Sequence, residues 1–371
     1  MRIGLDGTPL LGPRSGVGRY VGELVRALPG AMEPDDAVTL TAFTLRGAGQ
    51  LAEQAPPGVS ARSRPFPARL LQAAWSRGSF PPVGLLSGRV DLFHGTNFVL
   101  PPTGRAAGVV TVHDLSYLHL PDTVSAASRR YLDLVPRSLQ RAGAVCVPSR
   151  FVAEQVAEAY PTAAERVVVT PLGVDPSWSR ASPLTTAERA ALGLGVAYHL
   201  FIGNLEPRKD LATLMAAYRL LIARGHTDLP QLALAGPSGW GSELDTSGLP
   251  PELLVRLGRQ PEDRLRSLVA GARALVYPSQ YEGFGLPVLE AFATGTPLLA
   301  SDIPTTREIV GTDGDLAGLF PVGDAEALAA LLTAEPDSSP DVRRRRQSVS
   351  ADWTWQRTAD ATVWAYRRAL D

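Results

Sequence analysis

The segment YPSQYEGFGLPVLEAFATGTP, residues 277–297, sets two carboxylates, Glu282 and Glu290, eight positions apart around a glycine-rich turn. Gly283 and Gly285 lie between them, followed by Leu286-Pro287. A helix can start there, because the N–H that proline lacks would have no partner in a first helical turn. Gly295 and Pro297 are the residues that stop it. Backbone N–H groups at such a start make an anion site, and phosphate is the usual anion. Carboxylates beside that site would repel phosphate. Their oxygens only accept hydrogen bonds, which suits the hydroxyls of a ribose or a hexose. A glycine-capped helix with a solvated Glu290 is the plainer alternative.

Ligands of open α/β sheets bind beyond the carboxyl ends of strands, so the residues after each apolar run carry weight. After residues 2–5 comes Gly12-Pro13-Arg14-Ser15-Gly16-Val17-Gly18-Arg19-Tyr20. Gly16 permits close approach of backbone to a ligand; an ordinary turn would look the same. Arg19 suits either a phosphate or a surface ion pair. His113 and Asp114 follow the run 109–112. An isolated histidine there is as readily a satisfied core or capping group, and Asp114 either meets a hydroxylated ligand or caps its loop. His94 and Asn97, at the end of the run 90–93, belong with them. The run 199–202 leads into Gly203-Asn204-Leu205-Glu206-Pro207-Arg208-Lys209-Asp210. Two adjacent cations open a helix whose N-terminus already favours anions. A diphosphate leaving group needs that charge as its own negative charge grows. Asp210 reads as a local charge partner.

The string from Glu282 to Ala291, E-G-F-G-L-P-x-x-E-A, resembles the signature of retaining family-4 glycosyltransferases of the GT-B fold, and the likeness continues through Gly295-Thr296-Pro297 and Glu308-Ile309-Val310-Gly311. The resemblance implies an α/β architecture: two Rossmann-like, doubly wound domains facing a central cleft, with the C-terminal helix crossing back to the first. It implies that Glu282 faces the transferred hexose and that Glu290 bonds the ribose hydroxyls. The backbone N–H groups of Phe284, Gly285 and Leu286 would meet sugar and phosphate. Gly16 would lie near the diphosphate, and His113 near the hexose as an orienting group. Lys209 fits the family pattern, with Gly203 and Gly283 beside it. Many members carry arginine directly after the first of these glycines; here that residue is Asn204, which leaves Arg208 to supply the charge. Ala235-Gly236-Pro237-Ser238-Gly239 resembles the family's second-domain glycine turn, and backbone around Leu257 would read the base. His94, Asn97 and Asp114 would fall on the acceptor side.

The implied reaction moves a hexose from a nucleotide-diphosphate sugar to a saccharide or lipid-linked acceptor, with no metal or other cofactor. His113, Arg208, Lys209 and Glu282 would carry it. The strings SGVGRY, VHDLSYLHLP and NLEPRKDL look most like a subgroup that includes GDP-mannose-dependent mannosyltransferases, with UDP- or dTDP-sugar donors behind. Two other enzyme classes compete. A glycoside hydrolase could use Glu282 and Glu290 as acid and base, but nothing in it calls for Arg208-Lys209 and phosphate-binding turns. A dinucleotide oxidoreductase would want an acidic residue after the second strand, where Phe43-Thr44 stands. Asp313-Gly314-Asp315 matches a metal-binding pattern of another glycosyltransferase fold, yet Asp-Gly is a common turn pair.

The elements that must position these groups alternate short β-rich runs with helical stripes, which predicts parallel sheets. The runs fall at 2–5, 38–43, 90–93, 108–112, 144–147 and 167–169, then 199–202, 231–235, 254–257, 274–277, 298–300 and 318–320. Val17, Tyr20, Val21, Leu24, Val25 and Leu28 form a helical stripe. A chain of 371 residues suggests two domains: an acceptor domain over 1–172, a linker over 173–197, a donor domain over 198–340 and a helical tail over 341–371. The basic run Arg343–Arg346 reads as a solvated helix face. With 36 basic and 37 acidic residues the chain has no basic excess, which argues against nucleic acid. The lone Cys146 excludes an intrachain disulfide and reads as a small buried residue. No secretory signal or transmembrane stretch is evident, so a cytoplasmic location is expected. Residues 65–77, apolar with arginines at the rim, suit either a peripheral membrane contact or a core-packed helix.

Overall fold

In the computed structural model, which describes residues 1–12, 16–44, 48–62, 67–241, 243–311 and 314–371, the chain forms two compact units. Unit 1 contains residues 1–119, 126–173 and 354–371; unit 2 contains 120–125 and 174–353.

Unit 1 holds β1 (Arg2–Asp6), β2 (Ala37–Thr41), β3 (Val59–Ala61), β4 (Leu92–Gly95), β5 (Ala107–Thr111), β6 (Ala144–Val147) and β7 (Val167–Val169). They lie in the order β3-β2-β1-β4-β5-β6-β7, every pair parallel. Unit 2 holds β8 (Tyr198–Ile202), β9 (Gln231–Ala235), β10 (Leu254–Gly258), β11 (Ala274–Tyr277), β12 (Leu298–Ser301) and β13 (Gly318–Phe320). Their order is β10-β9-β8-β11-β12-β13, again parallel throughout. Central strands such as β6 and β11 are buried at every residue. Strands covered on both faces have no polar face to show, and so they read as unbroken apolar runs. The strand order reverses between β1 and β4 in one unit and between β8 and β11 in the other. Each reversal opens a crevice at the carboxyl ends of its strands.

Helix α1 (Gly16–Ala27) buries Tyr20, Val21, Leu24 and Val25, the stripe read from the sequence. In unit 2, α2 (Leu211–Ala223) follows β8 and α3 (Leu286–Thr294) follows β11. Near the chain's end, α4 (Pro340–Ala351) lies in unit 2 and packs against α3, whereas α5 (Trp355–Leu370) belongs to unit 1 and packs on α1 and the central strands. The expected tail therefore splits at residues 353 and 354.

Three other expectations need revision. β3 escaped the sequence reading because three residues on a sheet edge carry no apolar run. The stretch 173–197 is not a free linker beyond Gly173: it folds into unit 2, buries Trp178 and contains the helix Thr186–Ala191 with a Thr185–Glu188 capping box. Burying one such aromatic contributes roughly 2–3 kcal/mol, enough to fix a segment that reads as Pro-rich and polar. In the basic run, Arg346 is buried, donating from Nε to Leu316 O (2.8 Å) and from Nη1 to Asp337 O (2.9 Å). Trp75 is also core: it packs edge-on against Phe43 and its indole N–H donates to Pro81 O at 3.0 Å, while Leu70 of the same helix is exposed. Pro65, Phe66, Asp313 and the Arg69 side chain lie outside the described residues.

Candidate active site

The crevice of unit 2 gathers the residues after β8 and β11. Pro207–Lys209 form one 3-10 turn ahead of α2, rather than the first turn of the helix itself. Asp210 follows with φ 49° and ψ 45° and caps α2, accepting from the Thr213 hydroxyl at 2.7 Å. It is thus a helix cap and not the charge partner of Arg208 or Lys209. Those cations turn to Glu282 instead. Lys209 Nζ donates to Glu282 Oε1 at 2.5 Å, and Arg208 Nη1 donates to Glu282 Oε2 at 2.7 Å and to Tyr281 O at 3.1 Å. Arg208 Nε also reaches Glu206 Oε1 at 2.7 Å. Lys209 Nζ lies 5.1 Å from the centre of the Tyr277 ring, a cation–π contact. The backbone joins the two loops as well, with Gln280 N–H on Arg208 O at 2.9 Å.

Two carboxylates and two cations make a cluster with no net charge. Burial alone would raise the Glu282 pKa, but Arg208 and then Lys209 outweigh it and hold the carboxyl down to about 2. Glu282 is therefore ionised at neutral pH and is no proton donor, which argues against the acid–base pair of a hydrolase. Gly283 and Phe284 are buried, and the Phe284 ring packs edge-on against Trp353 at 5.4 Å, so what Phe284 can offer a ligand is its backbone. Gly285 has φ 123° and ψ 54°, a conformation that side-chain-bearing residues rarely adopt, and it turns the chain into α3 at Leu286. The first turn of α3 leaves N–H groups without intrahelical acceptors. Glu290 lies one turn further along, buried on α3. Gly203 follows β8 directly, and a Cβ on Gly236 would stand 1.8 Å from Gly203 O, so the two glycine turns interlock. Leu257 falls at a break in register between β10 and β9, a bulge that takes it off the ladder on the sheet's edge.

The crevice of unit 1 holds the other candidates. His113 is half-buried just past β5. Its Nε2 donates to Thr96 O at 2.8 Å, and the rings of Tyr20 and Phe98 stand edge-on to it at 5.1 and 5.4 Å. Burial lowers its pKa, so the ring is neutral with the proton on Nε2 and an acceptor lone pair on Nδ1. Phe98 sits at φ 63° and stacks on Tyr131 at 4.5 Å, an uncommon backbone state for an aromatic residue. Asn97, half-buried beside it, hydrogen-bonds the Tyr131 side chain. Asp114 caps the short helix Ser116–His119, accepting from Ser116 N and Oγ at 3.0 and 2.7 Å. Gly16 opens α1 and is exposed, with no atom of a described residue beyond its own helix within 4 Å of where its Cβ would stand, while Arg14 and Ser15 lie outside the described residues.

The sequence matches the family described as Glycosyltransferase Family 4 over residues 14–178 and that described as Glycosyl transferases group 1 over residues 197–334. It is 32% identical over 287 residues to the O-antigen chain mannosyltransferase B of Escherichia coli, covering 74% of each chain. The chain belongs to the family-4 glycosyltransferases. A second relative, the D-inositol 3-phosphate glycosyltransferase of Gordonia bronchialis, is 28% identical over 307 residues, which are 76% of this chain and 67% of that one. Among solved structures, the sucrose-phosphate synthase of Thermosynechococcus elongatus superposes with a TM-score of 0.73 at 21% identity, covering 99% of this chain and 98% of that one, which establishes a shared GT-B fold.

In this glycosyltransferase the structure joins Arg208, Lys209 and Glu282 directly, with the Gly283–Leu286 turn continuing from Glu282. His94 is a correction. It was placed on the acceptor side, but it is fully buried with both ring nitrogens engaged: Nδ1 with the Tyr366 hydroxyl and Nε2 with the Thr111 hydroxyl, each at 2.8 Å. Burial drives its pKa down to about 3. It fastens α5 of this enzyme to β4 and β5 and offers nothing to a ligand. Sequence reading gave no role to Glu206, Tyr277 and Trp353, which support the site from outside the Glu282–Ala291 string.

Proposed function

We propose that this glycosyltransferase moves a hexose, with mannose from GDP-mannose favoured, to a saccharide or lipid-linked acceptor with retention of anomeric configuration. The observation that carries the reading is the buried Glu206–Arg208–Lys209–Glu282 cluster at the switch point of unit 2. Without a ligand, Glu282 neutralises the cations. A diphosphate brings its own negative charge to Arg208 and Lys209, and each cation then exchanges a carboxylate oxygen for a phosphate oxygen. Glu282 is left with acceptor oxygens to spend on the hydroxyls of the hexose. Binding of the leaving group and orientation of the sugar are coupled through one side chain.

Retention follows most simply from a front-side displacement. The acceptor oxygen attacks the anomeric carbon on the face from which the diphosphate departs, and a leaving phosphate oxygen takes the acceptor's proton. Arg208 and Lys209 stabilise the growing charge in a site with little water, where such stabilisation is strongest. Glu282, with its oxygens committed to the hexose hydroxyls once the diphosphate holds the cations, is ill suited to form a covalent intermediate. Glu290, buried on α3, supports the assignment of a ribose clamp.

Thermal-shift measurements with GDP, UDP, dTDP and NAD test the donor class, with mass spectrometry of nucleotide-sugar turnover to name the donor. GDP should give the largest stabilisation. Stabilisation by NAD alone would sink the transferase reading of this site, and preference for UDP would move the donor assignment to a UDP-sugar.

A further inference from the structure

The carboxyl ends of β1, β4 and β5 carry a second set of fixed polar groups that the donor chemistry of unit 2 leaves unused. Asp6 closes β1 and is half-buried. Its Oδ1 accepts the Thr8 N–H at 2.9 Å, a local turn that fixes the plane of the carboxylate. The Thr8 hydroxyl bonds the same carboxylate, and no described residue other than Thr8 donates to it. The Asp6 carbonyl accepts the Thr96 hydroxyl at 2.7 Å, and the Thr96 carbonyl accepts His113 Nε2–H at 2.8 Å. One residue thus ties the end of β1 to His113, across the strand pair where the order of the sheet reverses.

The chemistry of this corner is one-sided. The Asp6 carboxylate and His113 Nδ1 are both acceptors, and beyond Thr8 no described donor bonds to them. Burial lifts the Asp6 pKa to about 6, with Thr8 alone opposing it and no cation contributing. A structural carboxylate at a strand end normally acquires a cation or a full set of N–H donors, because burying an uncompensated charge costs several kcal/mol, roughly, even after relaxation. A corner with acceptors and no cation disfavours phosphate and carboxylate groups. It suits an uncharged ligand that supplies O–H donors.

We propose that Asp6, beside His113, binds a hydroxyl of an uncharged, polyhydroxylated acceptor and sets specificity for it. The assignment rests on the transferase reading only for calling this ligand the acceptor. A residue at the end of the first strand is well placed for the role. β1 is central in the sheet, pinned on both sides by β2 and β4, so the residue at its end is held in place by the sheet.

Asp6→Asn keeps an oxygen for the Thr8 turn and removes the charge. The full chain, loaded with GDP, is titrated with methyl α-mannoside, methyl α-glucoside and myo-inositol, with binding read by saturation-transfer NMR. The wild type should bind at least one of these, and Asp6→Asn should weaken that binding tenfold or more. GDP affinity should change less than twofold, and the melting temperature should be nearly unchanged. Asp6→Glu separates the two roles of the side chain, since it keeps the charge and breaks the turn. A residue that only shapes the turn makes Asn the better-tolerated variant, and that ranking refutes the proposal. Unchanged probe affinity in Asp6→Asn, or no binding of any probe by the wild type, also overturns it. GDP binding is read on the same samples. Its loss in the wild type refutes the donor assignment instead, so the two failures are distinguishable.

Discussion

Replacing Glu282 by glutamine should destabilise the unliganded protein and at the same time increase its response to nucleotide. The side chains of Glu282, Lys209 and Arg208 are only 7%, 10% and 17% exposed, so solvent screens them weakly. The Glu282 carboxyl is held at about 2 against an ordinary 4.5. That difference, at about 1.4 kcal/mol per pH unit, is worth about 3 kcal/mol. It agrees with the roughly 3–5 kcal/mol lost when one member of a buried ion pair is removed. For a unit of this size each kcal/mol moves the melting temperature by about 2–4 °C, so a fall of about 6–12 °C is expected. The sign with pH is fixed. A carboxyl whose folded pKa is depressed contributes stability that is complete above its unfolded pKa and is lost as pH falls towards the folded one. Urea denaturation of wild type and Glu282→Gln should therefore show a constant gap from pH 8 to 5 that begins to close below about pH 4.5. Excess GDP should raise the melting temperature of Glu282→Gln more than that of the wild type, because phosphate oxygens replace the missing carboxylate. A gap below 1 kcal/mol at pH 7, or a smaller GDP response in the variant, would refute the idea that Glu282 is the counter-ion that a diphosphate displaces.

Three further outcomes are expected. Lys209→Ala should lower transfer by about 100-fold or more with circular dichroism unchanged, in line with loss of one charge-stabilising donor; near-normal turnover would place the diphosphate elsewhere. Tyr366→Phe should cost about 1–2 kcal/mol in urea denaturation, because it leaves His94 Nδ1 buried without its partner; an unchanged midpoint would contradict the network. Residues 54–90 contain five arginines and no acidic residue, and Leu70 and Phe80 are exposed within them. Vesicles containing anionic phosphatidylglycerol should therefore co-sediment the wild type and lose Leu70→Glu/Phe80→Glu, whereas equal sedimentation of the two would end the membrane reading.

Much of the candidate site in unit 2 was legible because its signal is local. The Glu282–Glu290 string encodes turn, helix start and ligand groups within one short window, and Gly285 needs its backbone angle whatever surrounds it. The parallel sheets were legible for a related reason, since strands buried on both faces must be apolar throughout. What failed was what depends on distant partners. His94 looked like a polar group at a strand end, but its role is set by Tyr366, 272 residues away. Arg346 looked solvated because its acceptors, Leu316 O and Asp337 O, are backbone atoms that no side-chain pattern reports. Asp210 looked like a charge partner because sequence spacing cannot show that the chain turns left-handed there and aims the carboxylate at Thr213. Asp6 stands out only in the fold, because its neighbours Thr96 and His113 follow β4 and β5, far away in sequence.

The last helix has a consequence for how the chain is made. Unit 1 begins at the first residue but is finished only by residues 354–371, which arrive after all of unit 2. On a ribosome the first sheet must wait through the synthesis of a second whole sheet before α5 covers β4, β5 and β6. During that interval His94 lacks its Tyr366 partner, and the apolar surface destined for Ala359, Val363 and Ala365 stays open. Unit 2, continuous but for residues 120–125, has no such wait. Loss of residues 354–371 alone would therefore uncover β4, β5 and β6 of unit 1 while leaving every segment of unit 2 in place.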